Sequence, residues 1–247
     1  MRRYLDDEGI NIARGLVNKT TAVHKFGSTP SMSINTQGTV WDISDSYYNW
    51  TALTGANNLS IVVSNSGDTT GGRRIVIEGL DANKDLQTET VFLSAQTGIS
   101  TTNQFIRVNR AYFMDESSYD TTNVGKITIF NGGNAPVARI NANEGQTLMA
   151  VYSVPNGHTA YIKKGKMSIQ SGGDATGRMM VRYDGQNNFR IAHIFEVAGD
   201  GGAYEYEFAT PFAIAANSDI DVRARVRSNN SRVTAAFDLI LVDNRNP

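Results

Sequence analysis

The chain has 247 residues, 40% hydrophobic and 19% charged, and its 23 Lys and Arg against 24 Asp and Glu leave a net charge of -1. That length supplies one large or two small domains, and the balanced charge argues against a dedicated nucleic-acid binder or a polybasic membrane binder. With no cysteine, disulfides and thiolate metal sites are excluded.

The opening, MRRYLDDEGINIARG, mixes charges of both signs without an apolar run, so neither a cleaved secretory signal nor a membrane anchor is expected. Ile10, Ile12, Leu16 and Val17 would allow a helical turn, but Gly9 and Gly15 favour an extended N-terminal arm over residues 1–20. No later stretch approaches the roughly 20 apolar residues that span a bilayer.

Beyond the arm, Gly, Asn, Ser and Thr clusters alternate with short runs rich in Val, Ile, Tyr and Phe, the rhythm of an all-β chain. Period-two alternation is clear in Arg74 to Leu80, Phe105 to Met114, Lys126 to Phe130, Tyr204 to Phe208, Asp219 to Arg227 and Val233 to Val242. Asn156-Gly157, Asp184-Gly185 and the glycine pairs near 132, 172 and 201 supply residues that tolerate positive φ in tight turns. A Gly-rich turn over Asn131 to Pro136 places a boundary there. The sequence thus predicts two β-sandwich domains, residues 21–135 and a jelly-roll-like 136–247.

Catalytic chemistry finds little footing, because no nucleophile elbow, Walker loop, Rossmann fingerprint or His-Glu-x-x-His helix is present. His24, His158 and His193 have no common spacing and read as hydrogen-bonded structural residues. Asp81, Asn83 and Asp85 alternate like the start of a calcium loop. The following Gly and the closing Glu are missing, since residue 92 is Phe, so a polar turn is expected. Arg73 and Arg74 after Gly71-Gly72 could cradle an anion or end a solvated hairpin. No catalytic, cofactor or metal residues are therefore assigned.

Two strand faces stand out instead. Alternation puts Arg223, Arg225 and Arg227 on one side of a strand, with Val222, Ala224 and Val226 on the other. Tyr204, Tyr206 and Phe208 alternate with Glu205 and Glu207. Either set can face solvent, or the arginines can meet carboxylates such as Glu205 and Glu207 across a sheet or subunit contact.

One segment, Gln146 to Tyr161 (QTLMAVYSVPNGHTAY), resembles the centre of a group of virion structural proteins from tailed phages, of the cyanophage and marine or freshwater type. Val23-His24-Lys25-Phe26-Gly27 and Val40-Trp41-Asp42 are similar to the start of that group. So are Ile77 to Asp81, Glu89 to Leu93, Phe105 to Val108 and Tyr112 to Met114. The likeness runs from about Ala22 to the end. It departs where the group has a glycine-rich stretch after Trp41 and this chain has Ser44 to Asn49.

The resemblance implies a non-enzymatic virion protein, assembled in the host cytoplasm, whose partners are its own copies, with a trimer favoured, and the major capsid protein or neck and tail proteins. It implies no cofactor, nucleic acid or membrane. Within it, a capsid decoration or cement protein is the leading expectation and a neck, collar or tail component the alternative. A carbohydrate-binding host-attachment module is a further reading, which would need an exposed aromatic platform.

Overall fold

The computed structural model describes residues 8–115, 122–132, 134–170, 173–199, 201–228 and 230–245. Among them are one short helix, α1 (Glu8–Ala13), two 3-10 turns and sixteen strands. The strands are β1 (Thr20–Met32), β2 (Gln37–Thr39), β3 (Asn57–Val63), β4 (Arg74–Leu80), β5 (Leu86–Phe92), β6 (Ile99–Phe105), β7 (Arg107–Met114) and β8 (Ile127–Phe130). They continue with β9 (Pro136–Ile140), β10 (Val151–Ser153), β11 (His158–Ile169), β12 (Ala175–Arg182), β13 (Arg190–Val197), β14 (Ala203–Ile214), β15 (Asp219–Val226) and β16 (Ser231–Asp243). The protein is all-β. The run read from alternation at residues 74–80 coincides with β4.

The strands form two sandwiches. In the outer one, the sheet β1-β16-β11-β14 packs on the sheet β10-β15-β12-β13, with β2 added beside β15. In the inserted one, β6-β3-β8-β9 packs on β5-β4-β7. Each has its own apolar core. Met167, Met179, Phe195, Val222, Phe237 and Leu239 fill the outer sandwich, whereas Leu59, Ile61, Ile75, Ile77, Phe105 and Ile129 fill the insert.

This division corrects the boundary drawn at residues 131–136. β1 pairs along nearly its whole length with β16, from Thr20↔Val242 to Thr29↔Val233, so the first long strand belongs with the last. β9 in turn pairs with β8 and completes the insert. The chain leaves the outer sandwich at Val40 and returns at Ala150, and the two crossings lie side by side. Ala150 N donates to Val40 O at 2.9 Å, Val40 N to Val222 O at 2.8 Å, and Val222 N to Ala150 O at 3.0 Å. Alternate residues then serve alternate cores: Val40, Ala150 and Tyr152 face the outer one, while Trp41, Met149 and Val151 face the insert.

Residues 8–13 are also not an extended arm. They form α1, whose Ile12 is buried against the outer face of the first sheet beside Ala22 and Ile240; residues 1–7 lie outside the described residues.

Gly27 marks where β1 passes under both crossings. A Cβ there would fall on Val40 O and Ala150 N, backbone atoms that cannot swing aside. Gly27→Ala is therefore expected to cost about 1–3 kcal/mol in a urea titration. Gly55→Ala, where a Cβ meets nothing within 4 Å, should leave the midpoint unmoved or slightly raised.

Candidate functional site

Outward-facing residues of β15 begin with two aspartates, Asp219 and Asp221, and both are buried because the insert covers that end of the sheet. Arg107, at the start of β7 in the insert, reaches across and grips Asp219 with two bonds, Nε to Oδ1 at 2.8 Å and Nη2 to Oδ2 at 3.2 Å. Arg182 of β12 donates Nε to Oδ2 at 3.0 Å and Ser153 donates Oγ to Oδ1 at 2.5 Å. Burial by itself would raise the Asp219 pKa. The Arg107 bond and charge, with Ser153 and Arg182, overcome that and hold it below its ordinary value.

Asp221 makes a parallel set. It accepts from Trp50 Nε1 of the insert at 3.0 Å, from Thr39 Oγ1 at 2.8 Å and from Arg223 Nε at 2.8 Å. Aromatic faces close the cluster. Arg107 lies 5.6 Å and Arg182 5.4 Å from the Trp50 ring, and Arg223 sits 4.6 Å from Tyr47 and 4.5 Å from Phe189. Charge-assisted bonds and cation-π contacts thus tie the two sandwiches together over a shared buried surface.

Two more titratable groups lie at this seam. Lys25 of β1 points into a cleft of about 370 Å³ between the units, lined also by Glu78, Asn109, Arg110, Tyr152 and His158. Its Nζ donates to the Asn109 main-chain oxygen. Burial lowers its pKa to about 7, Arg110 pushes the same way, and Glu78 opposes. Asp42 lies on the outgoing crossing and accepts from Leu148 N, on the returning one, at 3.4 Å. Burial raises its pKa to about 7 against that bond and the Arg139 charge.

The arginine ladder is divided by the structure. Val222, Ala224 and Val226 are buried, so Arg223, Arg225 and Arg227 do point outward together. Arg223, however, is drawn into the junction through Asp221, while Arg225 donates Nη2 to Asn35 Oδ1 at 3.1 Å. Glu205 and Glu207 do not meet these arginines within one copy. They pair in register with Lys166 and Lys164 on the outer face of the opposite sheet, and Glu205 forms an ion pair with Lys164.

The remaining candidates resolve as structure. Asp81 Oδ1 accepts from Asn83 N at 2.8 Å and Asp85 N at 3.0 Å, a self-bonded turn joining β4 to β5. Arg73 pairs with Asp115 at 2.9 Å and lies 3.7 Å from Asp68, and Arg74 covers the Phe92 ring at 5.6 Å. His24 meets Asp238, and His158 Nδ1 lies 2.8 Å from Asn156 O. His193 stacks on Tyr206 with ring centroids 4.5 Å apart, and desolvation lowers its pKa.

Sequence reasoning missed the junction. Arg107, Trp50 and Asp219 stand far apart in the chain, and the one local signal is that two aspartates open an otherwise basic strand face.

No protein-family model matches the chain, and no curated protein does. Among solved structures, the infectious bursal disease virus Gt strain is similar at a TM-score of 0.23 and 11% identity, over 93% of this chain and 74% of that one. The VP2 subviral particle of the same virus gives 0.23 and 10%, over 93% and 73%. A Bacillus thuringiensis Cry1Da tryptic core variant gives 0.19 and 7%, over 85% and 58%. Likeness at this level carries no argument about this chain, and the functional reading rests on its own residues.

Proposed function

We propose that the chain is a non-enzymatic structural component of a tailed-phage virion, most simply a capsid decoration or cement protein that holds the shell through many repeated contacts. One observation supports this reading beyond the sequence resemblance: the buried Asp219 and Asp221 junction, through which Arg107 and Trp50 of the insert are bonded to the outer sandwich. A protein that reinforces a shell must transmit load between contacts instead of flexing between domains. Wide sheet faces then supply contacts whose individual weakness is offset by repetition.

Quantitative mass spectrometry of purified virions from the encoding phage tests the reading. Copy numbers commensurate with the major capsid protein are expected. The few copies that fill one neck or tail ring would transfer the protein to that station, and absence from the particle would overturn the assignment. A companion measurement is heat release of DNA from shells lacking the protein, which should move to higher temperature when purified protein is added back.

A further inference from the structure

Among the described residues Lys25 is the only buried lysine. It stands on the floor of the cleft of about 370 Å³ between the sandwiches, together with Asn109, Tyr152 and His158, each more than nine-tenths buried. Above this floor the cleft opens at a rim where Leu86, Thr88 and Arg110 are exposed. A polar floor beneath an open mouth, in a cavity of that size, is the form of a small-molecule site.

The donors of the floor are not all used. An ammonium group has three hydrogens, and the one bond Lys25 makes goes to the Asn109 main-chain oxygen. Asn109 itself is spent, because its side chain accepts from Ser153 N at 2.8 Å and donates to Ser153 O at 3.1 Å. His158 Nδ1 donates to Asn156 O at 2.8 Å. These two residues shape the cleft, and Lys25 is left with hydrogens to offer. A buried ammonium with spare donors costs the fold stability and is characteristic of sites that use the charge.

The charges around the cleft decide what it can take. His24 at the lip is paired with Asp238, and His158 Nε2 faces Asp243 at 3.9 Å. Lys25 and Arg110 remain, against the single carboxylate of Glu78. Arg110 has an uncharged partner, Gln146 Oε1 at 2.9 Å, and lies over the Tyr112 ring at 5.0 Å. Its charge disfavours the charge on Lys25, a repulsion that an anion bound by both would remove. Two cations against one carboxylate suit a ligand with one negative charge, whereas a dianion would set its second charge against Glu78.

We propose that this cleft binds a small monocarboxylate, whose oxygens take the spare hydrogens of Lys25 on the floor and the guanidinium of Arg110 at the rim. Charge-assisted bonds of this kind are strong for their size. Glu78 acts on both Lys25 and Tyr152, so it stands near the bound acid and limits the site to one carboxylate. The ligand site goes beyond the virion reading and does not depend on it.

The test is an NMR titration of the ¹⁵N-labelled full chain with sodium acetate at constant ionic strength. Saturable shifts confined to the surroundings of Lys25, Asn109 and Tyr152 are expected, with a dissociation constant that is roughly millimolar for so small a ligand. Succinate and inorganic phosphate should bind more weakly than acetate. Binding needs the protonated amine, and the Lys25 pKa is about 7. Affinity should therefore stay level below pH 7 and fall by up to about tenfold per unit above it, with proton uptake on binding.

Lys25→Met removes the ammonium without burying a new charge, so the variant should fold and lose acetate binding. Arg110→Gln should weaken binding by roughly tenfold. Glu78→Gln at pH 6, where Lys25 is charged, should bind acetate more tightly and admit succinate. Absence of saturable binding, acetate binding unchanged in Lys25→Met, or a wild-type preference for the dianions would each overturn the proposal. None of these outcomes touches the virion assignment, which rests on copy number in particles.

Discussion

Replacing Asp219 by Ala is expected to destabilise the protein by about 3–5 kcal/mol, the usual cost of removing one partner from a buried charge cluster. The magnitude follows from what remains. Arg107 and Arg182 stay largely buried with their guanidinium groups facing each other and no carboxylate between them. Asp219→Asn keeps some hydrogen bonding and should fall between Ala and wild type. Because the junction couples two separate cores, its loss should also divide the unfolding transition. Trp41 and Trp50, both buried in the insert, report that unit by fluorescence, and far-ultraviolet circular dichroism reports all strands. The two probes should coincide in the wild type and separate in the Ala variant. A shift under about 1 kcal/mol with coincident probes would mean that the sandwiches are held elsewhere.

The second large effect concerns pH. Lys25 has a folded pKa of about 7 against 10.5 in its ordinary state, so between those values the unfolded chain binds more protons and stability rises with pH. Asp42 has a folded pKa of about 7 against 3.8, so between those values the folded chain binds more protons and stability falls as pH rises. Together they give a stability profile with a minimum near neutrality, each pKa unit of separation being worth about 1.4 kcal/mol at most.

Other groups face these two: Arg110 and Glu78 beside Lys25, Arg139 and Glu144 near Asp42. Lys25→Met should flatten the alkaline limb and raise stability at pH 7 by about 1–3 kcal/mol. Its apolar side chain avoids burying a charge, although Asn109 O loses a donor. Asp42→Asn should flatten the acid limb alone. Urea midpoints from pH 4 to 10 for the three proteins check this, and a Lys25→Met profile parallel to wild type would refute the assignment of the alkaline limb.

The strands were legible because a sandwich strand with one buried face writes its period into the sequence. Val222, Ala224 and Val226 alternating with arginines located β15 and its inward side correctly. Pairing between strands was not legible. Nothing in residues 20–32 says that their partner lies at 231–243, since one half-buried strand of suitable length looks much like another. The junction was hidden for the same reason: Arg107 and Asp219 are 112 positions apart, and a buried ion pair leaves no periodic trace. The arm was misread because Gly9 and Gly15 weigh against a helix locally, whereas one apolar contact from Ile12 to the sheet is enough to hold a single short one.

The insertion of one sandwich between Val40 and Ala150 has a consequence for how the chain comes to fold. β1 emerges first and must wait for β16, its partner more than 200 positions later; His24 and Asp238 are separated by 214. The insert needs only its own residues, so it can complete its core while the rest is still an open chain. Once it has done so, the ends at residues 40 and 150 are held side by side, and the long loop between the outer strands is shortened to almost nothing. Closing a flexible loop of that length would cost about 4 kcal/mol in chain entropy. A prefolded insert removes that cost from the slow, non-local step, acting in a cysteine-free protein as a cross-link made entirely of packed strands.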